Sequence, residues 1–196
     1  MDKFAIRLDK YIKPGLPTGG ESLWKQVLWF FIGFPLLKSY FIPFSFFKVK
    51  LLRLFGAKVG RGVRIKPDLR VKFPWLLSIG NHCWIGESVW IDNIESVKIE
   101  DQVCISQGVY LCTGNHDWSD PNFGYISKSI HIESESWIAA NASVGPGVHV
   151  GRGAVLSLGS VTVKSLRPMT IYAGNPAQAI KQRSITKPLD SDKIIL

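Results

Sequence analysis

Cysteine is scarce and unpaired. Cys83, Cys104 and Cys112 are three in number and form no CxxC pair, so a disulfide framework is not expected and a reducing compartment fits better. Acidic residues are in the minority, 15 against 24 Lys plus Arg, which leaves the 196-residue chain at +9. That excess favours an anionic partner: a phosphorylated cofactor, a membrane surface or nucleic acid. No recognisable nucleic-acid motif accompanies it, so the first two fit better. A long hydrophobic run is missing too. Within residues 23–55 the longest uncharged stretch, Gln26 to Leu37, has 12 residues, short of the roughly 18 needed for a spanning helix. The start, Met1-Asp-Lys-Phe, shows no basic segment leading into an apolar run and a small-residue cleavage site. No secretory signal is therefore expected, and the expected location is the cytoplasm, with the inner face of the cell membrane as a possible place of attachment.

What is present divides near Phe55. Residues 23–55 concentrate aromatic and aliphatic side chains, interrupted by Gly33, Pro35 and Pro43. Two readings stand for this segment, which the sequence places in a mainly helical N-terminal unit over residues 1–55. Short helices pack on the main domain or on a neighbouring subunit, or they lie in the plane of a membrane. The second draws on Lys38, Lys48, Lys50 and Arg53 beside Trp24, Trp29 and several Phe.

From Val59 onward the sequence repeats with a period of six. Ile79-Gly-Asn-His-Cys-Trp is followed by Ile85-Gly-Glu-Ser-Val-Trp and, after a two-residue slip, by hexads led by Ile99 and Ile105. Ile132, Ile138, Val144, Val150 and Leu156 then lead five hexads in phase. Six is neither the helical period nor a two-residue alternation. Short strands joined by tight turns explain it: each hexad forms one side of a prism, and three hexads complete a coil stacked on the next. The leading aliphatic points inward, and the fifth residue stays small or β-branched where three sides converge. Glycine after the leading aliphatic, as at Gly80, Gly86, Gly145 and Gly151, suits the corners. Trp84, Trp90 and Trp137 fall in sixth place and should point outward, for subunit packing or as an acceptor platform. His82, His131 and His149 read as surface or interface residues, and Cys83 as a small buried hydrophobe.

The hexads stop between Leu111 and Ile130, so residues 112–131 should project as a loop, where function collects on rigid scaffolds. The loop holds His116 beside Asp117, with Asp120 close behind. An imidazole there can take a proton from an attacking hydroxyl or amine, its tautomer fixed by a nearby carboxylate or backbone carbonyl. The plain alternative is a histidine that only braces its loop.

The repeat resembles that of the hexapeptide-repeat acyltransferases, over about residues 50–183 of this chain. The string Thr113-Gly-Asn-His-Asp117 looks like the catalytic-loop motif of the galactoside, maltose and nodulation O-acetyltransferases. Trp90-Ile-Asp-Asn93, Val103 to Pro121 and Ala173-Gly-Asn-Pro-Ala177 are similar to the colanic-acid-type acetyltransferases of exopolysaccharide biosynthesis. The resemblance implies an all-β fold, a left-handed parallel β-helix over 56–183, with the Ala173–Ala177 turn leading into a short C-terminal helix and a tail at 184–196. It implies transfer of acetyl from acetyl-coenzyme A to a sugar hydroxyl, with His116 as general base and Asp117 beside it, and no required metal. Acceptor contacts are expected from Asp92, Asn93 and Trp118. Asp92 stands where the galactoside enzymes carry Asn, so it could equally just break the hexad, and their sugar specificity is not carried over. Donor contacts map onto Ala140, Leu158, Gly159, Val163, Lys164, Gly174, Asn175 and Pro176. Lys164, Lys181 and Arg183 are candidate phosphate partners, or a solvated C-terminal surface. A homotrimer with active sites between prisms is implied as well.

Two rivals share the fold. A γ-class carbonic anhydrase needs three His ligands on zinc, and no third imidazole accompanies His116. A non-catalytic scaffold is opposed by the intact His-Asp loop.

Overall fold

A computed structural model of the chain describes residues 5–11 and 21–186. From Lys58 the chain winds as a three-sided prism. One side stacks Lys58–Val59, Leu77–Ile79, Val97–Ile99, Ile130–Ile132 and His149–Val150, all parallel. The second begins with Arg64–Ile65 and continues through Trp84–Ile85, Cys104–Ile105, Trp137–Ile138 and Val155–Leu156 to Thr170–Gly174. The third holds Arg70–Val71, Trp90–Asp92, Tyr110–Cys112, Ser143–Val144 and Val161–Thr162. Parallel strands satisfy one another's backbone from coil to coil, which lets strands of two or three residues persist.

The six-residue pattern explains the interior. Leading aliphatics such as Ile79, Ile85, Ile91 and Ile105 are buried, and so are fifth-place residues such as Cys83, Val89, Ala142 and Ala154. The fourth place carries the turn: His82, Ser88, Gln102, Gly108, Glu135, Asn141 and Gly147 all have positive φ. The second-place glycines therefore serve a different purpose from the one expected. A Cβ on Gly86 would come within 2.4 Å of the Gln107 backbone nitrogen in the next coil, so glycine there permits close stacking of corners. Coil length varies. Along the first side Ser78 pairs with Lys98, Lys98 with His131 and His131 with His149, giving coils of 20, 33 and 18 residues. The extra residues all sit at the corner between the third and first sides.

The open end of the prism is capped by helices. Helix α1, Leu23–Leu28, passes through one wide turn, Trp29–Gly33, into α2, Phe34–Lys38; α3 is Ser45–Leu54. Ser22 caps α1 by accepting from the Lys25 N–H, the expected use of a serine there. Trp29, Leu37 and Leu52 are fully buried, and the Trp29 indole donates to the Val71 carbonyl at 3.1 Å. Two of the cations expected on an interfacial face are bonded to backbone carbonyls. Lys48 is buried and donates to the carbonyls of Leu37 and Ser39, and its burial lowers its pKa. Arg53 grips the Val59 and Gly60 carbonyls at the start of the prism. Among the described residues no helix is long and apolar enough to cross a membrane.

The Ala173–Ala177 turn does not open a helix. Gly174 pairs with Ala177, the chain reverses within two residues, and Ala177–Gln182 runs antiparallel to Thr170–Gly174. The reason is the sheet edge: the last parallel strand would otherwise expose a row of unpaired backbone groups, and the returning strand pairs with them. Residues 187–196, most of the expected tail, lie outside the described residues.

Candidate active site

The interruption of the third coil is a β-hairpin. Gly114–His116 pairs antiparallel with Tyr125–Ser127, and residues 117–124 form its end. His116 sits at the last pair of the ladder, opposite Tyr125. Its Nδ1 lies 2.9 Å from the Phe123 carbonyl oxygen. A carbonyl only accepts, so Nδ1 carries the hydrogen and Nε2 keeps its lone pair. The ring stacks on Phe123 at 4.4 Å and meets the Tyr125 ring edge-on at 5.1 Å. From the N-terminal segment Tyr11 approaches to 5.7 Å, and the Arg7 N–H donates to the Pro121 carbonyl. Neither Tyr11 nor Phe123 stands out in the sequence, because each acts through a long-range or backbone contact.

The two aspartates shape the hairpin. Asp117 does not orient the ring: its carboxylate accepts from the Ser119 N–H and hydroxyl, and the Ser119 hydrogen bond lowers its pKa. Asp120 accepts from the N–H groups of Asn122 and Gly124, which holds Phe123 at positive φ and aims its carbonyl at His116. The backbone carbonyl, rather than a carboxylate, fixes the tautomer. Trp118 is exposed near the tip.

Below the hairpin, Asp92 and Cys112 are paired at the ends of neighbouring strands. The Asp92 carboxylate accepts from Lys72 Nζ at 2.9 Å and from the Tyr110 hydroxyl at 3.3 Å. Burial raises the pKa of Tyr110, and of Tyr125 to about 12, with Asp92 adding to both. Both phenols thus stay neutral donors. The Trp90 ring lies 4.7 Å from Tyr110 on the same side of the prism, whereas Trp84 and Trp137 are on the second side. Asn93 does not fit the expected acceptor contact. Its Oδ1 accepts from the Phe73 N–H and its Nδ2 donates to the Phe73 carbonyl, and the side chain is fully buried, out of a sugar's reach.

The expected donor residues occupy two edges of the third side. Ala140, Leu158 and Gly159 stack at the corner shared with the second side, where the Gly159 N–H donates to the Ala140 carbonyl. A groove of about 360 Å³ there is lined by Ser106, Trp137, Ala140 and Leu158 among others. Val163 and Lys164 follow the strand Val161–Thr162, at the corner that carries the hairpin two coils earlier. Gly174, Asn175 and Pro176 form the exposed turn of the C-terminal hairpin, and Lys181 is exposed on its returning strand. Arg183 is committed elsewhere, since its Nη1 donates to the Glu135 and Gly153 carbonyls. It pins the returning strand, leaving Lys164 and Lys181 as the open cations. Among the described residues no group of three His, Cys, Asp or Glu stands together as a metal site.

Known proteins place this arrangement. No family model matches the chain. WcaF of Escherichia coli (strain K12), assigned as a colanic acid biosynthesis acetyltransferase, is 39% identical over 137 residues, 70% of this chain and 75% of its own length. The chain belongs to the hexapeptide-repeat acetyltransferases. Other hexapeptide-repeat acetyltransferases share the fold. One from Vibrio cholerae O1 biovar eltor, solved with acetyl-coenzyme A, superimposes with a TM-score of 0.76 at 21% identity, over 86% of this chain and 92% of its own. A galactoside acetyltransferase in complex with coenzyme A gives 0.74 at 22% identity, covering 88% and 84%. The prism is thus the left-handed parallel β-helix of that family, and the protein is an acetyltransferase.

Proposed function

We propose that this acetyltransferase moves acetyl from acetyl-coenzyme A to a sugar hydroxyl in exopolysaccharide biosynthesis of the colanic-acid type. The observation that carries the reading is the His116 ring, whose Nδ1 is held by the Phe123 carbonyl, leaving the lone pair on Nε2. In the proposed step Nε2 takes the proton as the acceptor oxygen attacks the thioester carbon, and backbone N–H groups of the cleft stabilise the tetrahedral oxyanion. The carbon–sulfur bond then breaks and the imidazolium returns its proton to sulfur, so coenzyme A leaves as a thiol. Asp92, Tyr110 and Tyr125 offer hydrogen-bonding groups to an acceptor, and Trp90 and Trp118 offer aromatic faces suited to sugar rings.

The donor lies along the edges of the third side in this proposal, with Lys164 and Lys181 toward its phosphates. A homotrimer brings the hairpin of one prism against the donor edge of the next. The relatives named for acetyl transfer and the solved neighbours holding acetyl-coenzyme A or coenzyme A support the reaction class. The proposed location is the cytoplasm, where its donor is made and where free thiols such as Cys83, Cys104 and Cys112 stay reduced.

The test is acetyl transfer by His116→Ala and His116→Asn with acetyl-coenzyme A and a panel of lipid-linked and free saccharides, read by mass spectrometry. Turnover should fall by roughly 10² to 10⁴, the usual range for losing a positioned general base. Near-normal turnover by His116→Ala sinks the mechanism and leaves the fold standing.

A further inference from the structure

The catalytic reading leaves one end of the molecule unused. The helical cap leaves many large apolar side chains exposed: Trp24 is 78% exposed, Phe31 79% and Phe41 97%, with Phe44, Phe46 and Leu54 also exposed. The Phe44 and Phe46 rings lie 6.0 Å apart, and exposed large apolar side chains concentrated on one short segment mark an interaction surface. Beside it, between α3 and the first coils, runs a groove of about 700 Å³. Phe46 and Trp84 line it, Arg64 lies over the Trp84 ring at 5.1 Å, and Lys50, Arg53 and Arg61 complete its polar wall. No carboxylate lines it.

Charge selects the occupant. Residues 21–66 hold nine Lys or Arg and one acid, Glu21, so this end carries +8 of the chain's +9. Lys48 and Arg53 are spent on carbonyls, but Lys50, Lys58, Arg61, Arg64 and Lys66 remain exposed. A second copy docked end to end would set this charge against itself. A bilayer rich in anionic headgroups meets both features: aromatic side chains enter the interface while lysines and arginines hold the phosphates.

We propose that the helical cap and the basic groove beside it form a peripheral docking surface for an anionic membrane. Phe41 and Phe44 insert, and Lys50, Arg61 and Arg64 contact headgroup phosphates. The surface lies at the capped end of the prism and shares no residue with the His116 hairpin, so it stands whatever the acceptor is.

The test is co-sedimentation of the full chain with vesicles of phosphatidylcholine alone or mixed with phosphatidylglycerol, at low and high salt. Binding should require phosphatidylglycerol and weaken with salt. Lys50→Glu combined with Arg61→Glu should weaken it by about tenfold or more. Phe41→Ser with Phe44→Ser should weaken binding while keeping its salt dependence. Circular dichroism and acetyl transfer to a soluble acceptor should remain as in the wild type for both double variants. Equal binding to neutral vesicles, or charge reversal without effect, overturns the proposal. So does a lipid-free mass that drops in the phenylalanine variant, which would show the face covering another copy.

Discussion

His116 shows how much a single side chain owes to its neighbours' backbone. The sequence marks the residue by the break in the hexads and by the string around it, and the nature of the group that fixes its tautomer stays open there. The structure decides for the Phe123 carbonyl, which no side-chain pattern announces because any residue carries a carbonyl. The consequence separates the two loop aspartates. Asp117→Asn should leave turnover close to wild type, because that carboxylate serves the Ser119 turn and not the ring. Asp120→Ala should release the Asn122 and Gly124 N–H groups and let Phe123 drift, lowering turnover by about tenfold to a hundredfold, as expected when a reacting group is misplaced. Steady-state kinetics on the two variants checks the assignment; equal losses in both would return Asp117 to the site.

At the level of elements, the corner between the third and first sides is the place where the fold was made to vary. Coils one and two each carry two extra residues there, and coil three carries the hairpin. The corner is held by a ladder of polar side chains. Asn93 bonds both backbone groups of Phe73, and the Thr113 hydroxyl accepts from the Ile94 and Glu95 N–H groups while donating to the Asp92 carbonyl. The hexad period and the inward and outward places were readable from residue spacing, whereas the composition of residues 23–55 left both packing and membrane contact open. The role of Asn93 was not readable, because an asparagine at a break in a repeat looks alike whether it faces solvent or backbone. Asn93→Ala should destabilise the fold by about 2 to 4 kcal/mol, since it strands two buried backbone groups, and chemical denaturation measures this. A second prediction concerns the stacked acid–imidazole pairs on the first side. Hydrogen bonds from Lys98 and then from the His131 ring hold the Glu100 carboxyl at about 2 rather than its ordinary 4.5. A lowered folded value stabilises above the unfolded one, so the contribution is complete above pH 4.5 and fades as pH falls toward about 2. The melting-temperature gap between the wild type and Glu100→Gln should therefore close across that window; a gap independent of pH would mean that Glu100 acts by packing alone.

Across the whole molecule, the turn after the last coil shows where spacing stops being informative. Ala173-Gly-Asn-Pro-Ala177 predicted a departure from the prism, and it does leave, but the direction is set by a sheet edge that exists only once the coils have stacked. Oligomerisation is the same kind of property, and the proposed trimer makes a prediction that a single chain cannot satisfy. The hairpin occupies one edge of the third side, and Ala140, Leu158 and Gly159 occupy the other. If catalysis joins the hairpin of one prism to the donor edge of its neighbour, two inactive variants can repair each other. His116→Ala lacks the base but keeps a sound donor edge. Leu158→Glu places a charge on the exposed donor edge and keeps the base. After unfolding and refolding an equal mixture, a site formed between chains draws each half independently, so roughly a quarter of wild-type activity should return. A site contained in one chain always carries one defect or the other, and the mixture would then stay as inactive as its parts.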